Sequence, residues 1–178
     1  MVSFWEKRKF VKALADFATA QAAAGDVGDA KESIAQALAT AETIEDAEFR
    51  VDALVEIAAL QAAAGDSEGA RESIAQALVT AETIENADFR AKPLADIASA
   101  QAEAGDVEGA LATAESIEHA FSRTSALAAI AAAQAAAGDS EGAKESIAQA
   151  LVTAETIENA TWRAVALADI PKALAKME

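Results

Sequence analysis

The residue best suited to acid–base or metal chemistry near neutral pH is a single histidine. His119 directly follows Glu118, a pairing that suggests a general base or a metal ligand. General-base catalysis needs a second positioned group, and zinc needs several Cys, His or carboxylate ligands. The chain has no Cys and no second His. The residue pattern therefore predicts no catalytic, cofactor-binding or metal site, and it places His119 at a helix cap or loop.

Glycine–aspartate pairs recur along the chain and invite comparison with phosphate and calcium loops. None of them is followed by the Lys-Ser/Thr pair of a phosphate loop. Asp26 and Asp29 lack the alternating acidic order of a calcium loop. The other carboxylates recur with the period of the sequence, which is typical of a solvated helix face. These motifs therefore predict turns and surfaces rather than ligand sites.

Two polar residue types recur once per sequence repeat. The glutamines are predicted to form a stacked amide ladder between neighbouring repeats, or to cap carbonyls near helix ends. They are Gln21, Gln61, Gln101 and Gln134. The arginines are predicted to form ion pairs between repeats, with an anion-binding row as the alternative. The predicted pairs join Arg50, Arg90, Arg123 and Arg163 to Glu45, Glu85, Glu118 and Glu158.

A cluster of basic and aromatic residues lies near the N-terminus. It consists of Phe4, Trp5, Lys7, Arg8, Lys9 and Phe10. We expect a frayed first helix whose aromatic side chains pack on the rest of the chain. The alternative is an arm that docks on a membrane surface or a partner.

These residues belong to a tandem array. QAAAGD stands at 21–26 and 61–66, QAEAGD at 101–106 and QAAAGD again at 134–139. The segment ESIAQALVTAETIEN at 72–86 is repeated without change at 145–159. Such self-similarity is the signature of a repeat architecture. We expect one repeat domain over 1–178, with units at 10–49, 50–89, 90–122 and 123–162 and a half unit at 163–178.

Each unit is predicted to contain two helices. Leu54, Ile57, Ala58 and Gln61 follow the spacing of one helical face. A glycine then ends the first helix in the left-handed conformation, and an aspartate caps the second. The predicted glycines are Gly25, Gly65, Gly105 and Gly138. The predicted helices are 3–24, 27–45, 48–64, 67–85, 89–104, 107–118, 121–137, 140–158 and 161–176.

Two prolines interrupt the pattern. Pro93 falls near the start of the fifth predicted helix, where a missing N–H is tolerated. Pro171 falls in the middle of the last predicted helix and should kink or end it.

The array resembles the tetratricopeptide repeat (TPR) family. The Gly-Asp turns are followed by alanines where the family has alanine, at Ala30, Ala70, Ala110 and Ala143. The chain departs from the family pattern in having Gln at the Tyr position, Leu at the Trp position and no closing Pro. Three of the units also exceed the family length. The resemblance implies an all-α, right-handed α-α hairpin solenoid with about nine helices.

The third unit is seven residues shorter than its neighbours, with the gap after Ala110. Seven residues are close to two helical turns, so the apolar face stays nearly in phase. Leu111, Ala114 and Ile117 can therefore still pack inward. The shorter helix predicts either a sideways step of the array or a notch that exposes Leu111 and Phe121 as a docking site for a partner, unless neighbouring side chains fill the gap.

Charge and hydropathy exclude several functions. The net charge of −16 argues against a nucleic-acid partner, because phosphate contacts need clustered Lys and Arg. No apolar run approaches the length of a membrane span, and the N-terminus does not resemble a signal peptide. A cytoplasmic location is the default expectation.

By resemblance, the chain is a non-enzymatic protein-interaction scaffold whose first helices line a concave surface. The matching positions are Lys12, Ala15, Asp16, Thr19, Asp52, Val55, Glu56, Ala59, Lys92, Ala95, Asp96, Ser99, Glu103, Ser125, Ala128 and Ala132. This surface is acidic and lacks aromatic anchors. The expected partner is therefore a basic or small apolar protein or peptide.

An alternative function is structural. The units are nearly identical, and the terminal helices carry apolar residues that suit self-association. The same regularity is typical of an engineered repeat protein without a natural ligand.

Overall fold

The structure, a computed structural model, describes residues 3–175, apart from the side chains of Asp169 and Lys172. All regular secondary structure in this range is helical, and no strand occurs in it. The predicted all-α fold is thereby confirmed. The chain divides into two compact parts, Met1–Glu85 and Asn86–Glu178, each of which contains more than one sequence repeat. From here on these two parts are called the first unit and the second unit, and they are described in turn.

The first unit consists of two helical hairpins. Its helices are α1 (Phe4–Ala24), α2 (Val27–Glu42), α3 (Ala47–Ala63) and α4 (Ser67–Glu82). α1 packs along α2, α3 packs along α4, and α1 also contacts α3. We call the first helix of a hairpin the A helix and the second the B helix. The joint is the segment between a B helix and the next A helix together with the first turn of that A helix.

The second unit has two more hairpins and a half repeat. Its helices are α5 (Ala87–Glu103), α6 (Val107–Glu115), α7 (Ala120–Ala136), α8 (Ser140–Glu155) and α9 (Ala160–Ala166), then a 3₁₀ turn (Leu167–Asp169) and α10 (Ile170–Ala175). The A helix α7 contacts every other helix of this unit. It therefore forms the centre of the unit.

The hairpin turns follow the predicted glycine chemistry. Gly25, Gly65, Gly105 and Gly138 have φ angles of 90°, 79°, 83° and 85°. After α3, the Gly65 N–H bonds the Ala62 carbonyl at 3.0 Å and the Asp66 N–H bonds the Gln61 carbonyl at 2.8 Å. These two bonds form a Schellman motif. The Asp66 carboxylate then accepts from the Gly69 N–H, which caps α4 as predicted.

The B helices end three residues earlier than predicted, as α4 shows. The hydroxyl of Thr83 donates to the carbonyl of Thr80 at 2.6 Å, and the Ile84 N–H bonds the Ala81 carbonyl at 3.0 Å. The last turn therefore tightens, because a threonine side chain competes with the next helical hydrogen bond. The joints are correspondingly longer than predicted.

The last predicted helix, 161–176, is broken, and its final residue lies outside the described range. α9 stops at Ala166, and α10 begins at Ile170. Pro171 has no N–H for the carbonyl four residues earlier, and its ring crowds that carbonyl. The predicted interruption of this helix is confirmed, and it lies just before Pro171, at Leu167–Asp169.

Pro93 lies deeper in its helix than predicted. α5 begins at Ala87, two residues before the predicted start, so Pro93 stands in the second turn. Its side chain is fully buried. Pro93 therefore contributes to the core while leaving the Phe89 carbonyl without its usual helical donor.

The recurring glutamines join the two helices of their own hairpin. Gln61 Oε1 accepts a 2.6 Å bond from the Ser73 hydroxyl, and both side chains are buried. The other pairs are Gln21–Ser33 at 2.8 Å, Gln101–Thr113 at 2.7 Å and Gln134–Ser146 at 2.7 Å. Each partner lies twelve residues later in the same repeat. The predicted ladder between repeats and the alternative of carbonyl caps are therefore both wrong.

The short B helix α6 keeps its apolar face in phase, as predicted. α6 has 9 residues, whereas α4 has 16. Ala114 and Ile117 are fully buried. Thr113, the sequence counterpart of Thr80, takes the place of Ser73 and pairs with Gln101. The shorter helix therefore keeps a hydroxyl group at the position of Ser73, although it lacks about two turns.

Candidate functional site

The exposed face of the A helices α1 and α3 carries a network of charged side chains. Lys12 lies 3.3 Å from Asp16 on its own helix and 3.5 Å from Glu56 on α3. Arg8 lies 3.4 Å from Asp52 on α3. The structure thus brings together four predicted partner-binding residues and one further cation. Because three carboxylates face two cations, the face of this unit carries surplus negative charge.

The network fixes the protonation of its lysine. The hydrogen bond to Asp16 and, next, the negative charge of Glu56 raise the pKa of Lys12 above its ordinary value. Lys12 therefore remains a cation, and it is already engaged with two carboxylates. A partner meets the carboxylates of this face rather than an unpaired lysine.

In the second unit, the A-helix face is formed by α5 and α7. Lys92 pairs with Asp96 at 2.5 Å, Ser99 is half-buried and Glu103 is exposed. α7 adds the half-buried small residue Ala132. The face is therefore shallow and weakly acidic.

Two positions predicted for the concave surface lie in the core instead. Ala15 and Ala128 are buried, at 2% and 0% exposure. The other residues at this repeat position, Val55 and Ala95, are half-buried. The position therefore lies at the border between the buried and the exposed side of the A helix, which helical periodicity alone does not settle.

The joint arginines bind backbone carbonyls. Arg50 Nε donates to the Ile44 carbonyl at 2.6 Å, and Arg123 Nε donates to the Ile117 carbonyl at 2.6 Å. Arg163 reaches the carbonyl of Ile157 at 3.3 Å. These arginines close the carbonyl end of the preceding B helix, where cations are favoured. For these three, the predicted pairing with glutamate carboxylates is wrong.

A surface groove lies beside the joint arginine in each unit, and the sequence analysis missed it. In the first unit it measures about 420 Å³ and runs between Arg50, Leu54 and the outer side of α4, including Val79. In the second unit its counterpart measures about 360 Å³ and is lined by Arg123, Leu127 and Val152. The groove beside the short α6 is no larger than the one beside full-length α2. A sequence signal existed, since Val79 and Val152 are apolar residues on a polar face and are 65% and 66% exposed.

The joint residues cap the A helices as predicted. Asp46 accepts from the Phe49 N–H, and Asn86 and Asn159 each accept from two backbone N–H groups. His119 takes the same N-cap position before α7, but its side chain accepts no capping bond. Its Nδ1 lies 3.3 Å from the Ser122 hydroxyl instead. The predicted cap position is confirmed, and the imidazole points elsewhere.

The N-terminal aromatic residues pack on the first joint. The ring centroids of Phe4 and Trp5 lie 5.0 and 4.8 Å from that of Phe49, and Arg8 lies 5.2 Å over the same ring. α1 is not frayed, because Ser3 and Glu6 form a capping box at its start. The predicted packing on the array is therefore present on a well-capped helix.

A second aromatic site lies at the last joint, in the second unit. His119, Ala120, Phe121, Ile157, Asn159 and Trp162 line a pocket of about 390 Å³. The rings of Phe121 and Trp162 meet edge to face, 5.7 Å between centroids. Phe121 is half-buried against the core cluster that contains Ile157. Leu111, named with Phe121 as a notch residue, is half-buried on α6 and does not line this pocket.

The described residues contain no group of three or more His, Cys, Asp or Glu side chains that are placed to hold a metal ion together. None of the described helices is long and apolar enough to cross a membrane. Within residues 3–175, apart from the side chains of Asp169 and Lys172, no buried side-chain polar atom lacks a hydrogen-bond partner.

Comparison with known proteins places the fold. No protein-family model matches the sequence, and no curated protein matches it. The structure is similar to the crystal structure of nearly identical TPR-like repeats from a Podosopora anserina protein described as a kinesin light chain. The match has a TM-score of 0.55 at 20% sequence identity, and it covers 96% of this chain and 87% of the other. At this identity the likeness is one of fold, and the chain is a helical repeat protein of the TPR-like, all-α type.

Proposed function

We propose that the chain is a non-catalytic protein-interaction scaffold that binds a basic protein or peptide segment on its A-helix faces. Stacked helical hairpins create extended surfaces that repeat proteins use for binding. The described residues offer hydrogen bonds and ion pairs on these faces, and no convergent set of catalytic groups. Binding, rather than chemistry, suits this arrangement.

The surplus of carboxylates on the face of α1 and α3 carries the proposal. Lys12 and Arg8 are each engaged with carboxylates there. An incoming lysine or arginine can replace these internal partners, whereas an acidic segment meets like charge. Exposed ion pairs contribute only about 0–1 kcal/mol each, so their exchange for a partner's cations costs little.

Calorimetric titration with matched basic, neutral and acidic 12-residue peptides tests this function. We expect the basic peptides to bind, and their affinity to fall as salt is added. The double variant Asp16→Asn, Glu56→Gln should weaken binding. A matched control, Glu32→Gln with Glu72→Gln, removes the same charge from exposed B-helix positions and should bind as before. Equal binding of acidic peptides, or equal loss in both double variants, would sink the proposal.

Self-association is a second candidate function, favoured by the outer side of α1. Phe10 and Phe17 are 54% and 57% exposed and lie seven residues apart, on the same side of the helix. Two such rings form an apolar patch that a second copy of the chain can cover. Light scattering over a concentration series should then show a mass increase that Phe10→Glu with Phe17→Glu abolishes. A constant monomer mass would exclude this function.

A further inference from the structure

Three departures from the repeat's own pattern meet in one pocket. The joints carry Asp or Asn as N-cap, except for His119. They carry an aromatic residue three positions after the N-cap, except that Phe121 stands only two positions after His119. This aromatic residue is Phe at two joints and Trp162 at the last. The three exceptions, His119, Phe121 and Trp162, stand at two different joints, yet all three line the 390 Å³ pocket of the second unit.

The lining suits an apolar ring. Phe121 and Trp162 offer edges and faces at a 5.7 Å centroid distance, and Ile157 closes the floor. Trp162 is 58% exposed, so its indole is accessible from outside. No Asp, Glu, Lys or Arg side chain of the described residues lines the pocket. Aromatic residues in such edge-to-face pairs attract each other beyond the effect of the area they bury.

In the first unit, residues of α1 cover the corresponding joint, at Phe49. Phe49 stands at the position of Trp162, three residues after the N-cap. There the first turn of α1 lays Phe4 and Trp5 on the Phe49 ring and brings Arg8 over it. At the last joint, Phe121 holds the position of Arg8, 41 residues before the joint aromatic in both cases. α7 has no counterpart of the extra first turn of α1, and the pocket is open.

The charges around the pocket indicate which residues should flank an aromatic ring that a partner places there. Glu118 and Glu158 are exposed and directly precede the lining residues His119 and Asn159. Arg163, which follows Trp162, is bonded to the Ile157 carbonyl. The whole chain carries a net charge of −16. A partner that brings a ring into the pocket therefore gains from basic residues beside it.

We infer that this pocket binds an aromatic side chain of a protein partner, presented on a short segment that also carries basic residues. The inference rests on the proposed scaffold function and assigns it a second, separate contact. The first turn of α1 is the pattern for the bound segment.

Fluorescence of Trp162 tests the inference. In a Trp5→Phe variant, Trp162 is the remaining tryptophan and reports on the pocket. The titrant is a peptide that copies residues 3–10 with phenylalanine in place of tryptophan. We expect a saturable change in Trp162 emission. A peptide whose aromatic residues are all alanine, and one whose Lys and Arg are glutamate, should each bind at least about tenfold more weakly.

A protein variant with the repeat's own residue serves as the structural control. Asp88 holds the position of Phe121 at the preceding joint, so Phe121→Asp should fold normally, as checked by circular dichroism. This variant should bind the aromatic peptide at least about tenfold more weakly than the unchanged chain does. His119→Asn, which restores the usual cap, should likewise keep its helix content and serves as the control for substitution at this joint.

The outcomes separate this inference from the proposed function. Equal binding of the aromatic and alanine peptides, or an unchanged Kd in Phe121→Asp, overturns the aromatic pocket. If the peptide then still responds to Asp16→Asn with Glu56→Gln, the scaffold function stands alone. If no basic peptide binds to either face, both fail.

Discussion

At the scale of single residues, a buried amide and a buried hydroxyl tie the two helices of each hairpin. Gln61 is 7% exposed and accepts the 2.6 Å hydrogen bond of Ser73, which is 1% exposed. Gln61→Ala leaves that hydroxyl buried without its acceptor. We expect the free energy of unfolding to fall by about 1–3 kcal/mol in urea titrations.

A double-mutant cycle isolates the hydrogen bond from the lost packing. Gln61→Ala and Ser73→Ala together should be less harmful than the sum of the two single changes, by about 1 kcal/mol. Strict additivity would mean that the bond adds nothing to stability.

Glycine has opposite roles at two kinds of position, after an A helix and inside the first turn of a B helix. Gly65 has a φ of 79°, which a residue with Cβ adopts at a cost, so Gly65→Ala should destabilise by about 1 kcal/mol or more. Gly28 lies in the first turn of α2 with open space around its added Cβ. Gly28→Ala should therefore stabilise by up to about 1 kcal/mol. Thermal melts of both variants check the signs, and a shift in the same direction would refute the reading.

The capping box of α1 makes one carboxylate sensitive to acid. Hydrogen bonds from the Ser3 backbone N–H, at 2.8 Å, and from the Ser3 side chain lower the pKa of Glu6. Because the folded pKa lies below the unfolded one, the stabilisation is complete above the unfolded pKa and is lost as pH falls through the folded pKa. An NMR titration of the Glu6 carboxyl should give a pKa below that of glutamate in a model peptide. Ser3→Ala removes only the side-chain hydrogen bond and should move the pKa part of the way upward, and no movement would show that the backbone N–H alone lowers it.

At the scale of helices, the short α6 allows a phase test. Insertion of seven residues with the sequence of 75–81 after Ala114 rotates the rest of the helix by only about −20°. Ile117 should then stay buried, while helix content rises. A five-residue insertion rotates Ile117 by about 140° and should destabilise the fold strongly. Circular dichroism and urea unfolding compare the two, and equal stability would refute the phase argument.

Some elements followed from the sequence and others required the fold. The turn at Gly65 and Asp66 depends on neighbouring backbone groups, and the sequence sufficed to predict it. The partner of Arg50 depends on where α2 ends, which the threonine hydroxyl and the burial of Ile44 decide together. Gln61 meets Ser73 only once two helices pack, so helical periodicity could not identify the pair. The pocket at Trp162 likewise needs two joints that lie 40 residues apart in the sequence.

At the scale of the whole molecule, charge opposes compactness. The chain contains 30 Asp and Glu residues but only 14 Lys and Arg residues, which gives the net charge of −16. Such an imbalance destabilises a folded state through self-repulsion. The exposed ion pairs, such as Lys12–Asp16, offset this only slightly, because water screens each of them.

Salt should therefore stabilise this chain, although it weakens its ion pairs. Raising NaCl from about 0.01 to 0.15 M shortens the screening length from about 30 to 8 Å, which removes most repulsion between distant carboxylates. We expect the thermal midpoint to rise across this range. A variant with Glu32, Glu72 and Glu145 changed to Gln keeps the ion pairs described above and should show a higher midpoint at low salt and a flatter dependence. If salt instead lowers the midpoint of the native chain, the ion pairs on the A-helix faces outweigh the repulsion. A partner that displaces them would then have to replace that stability as well.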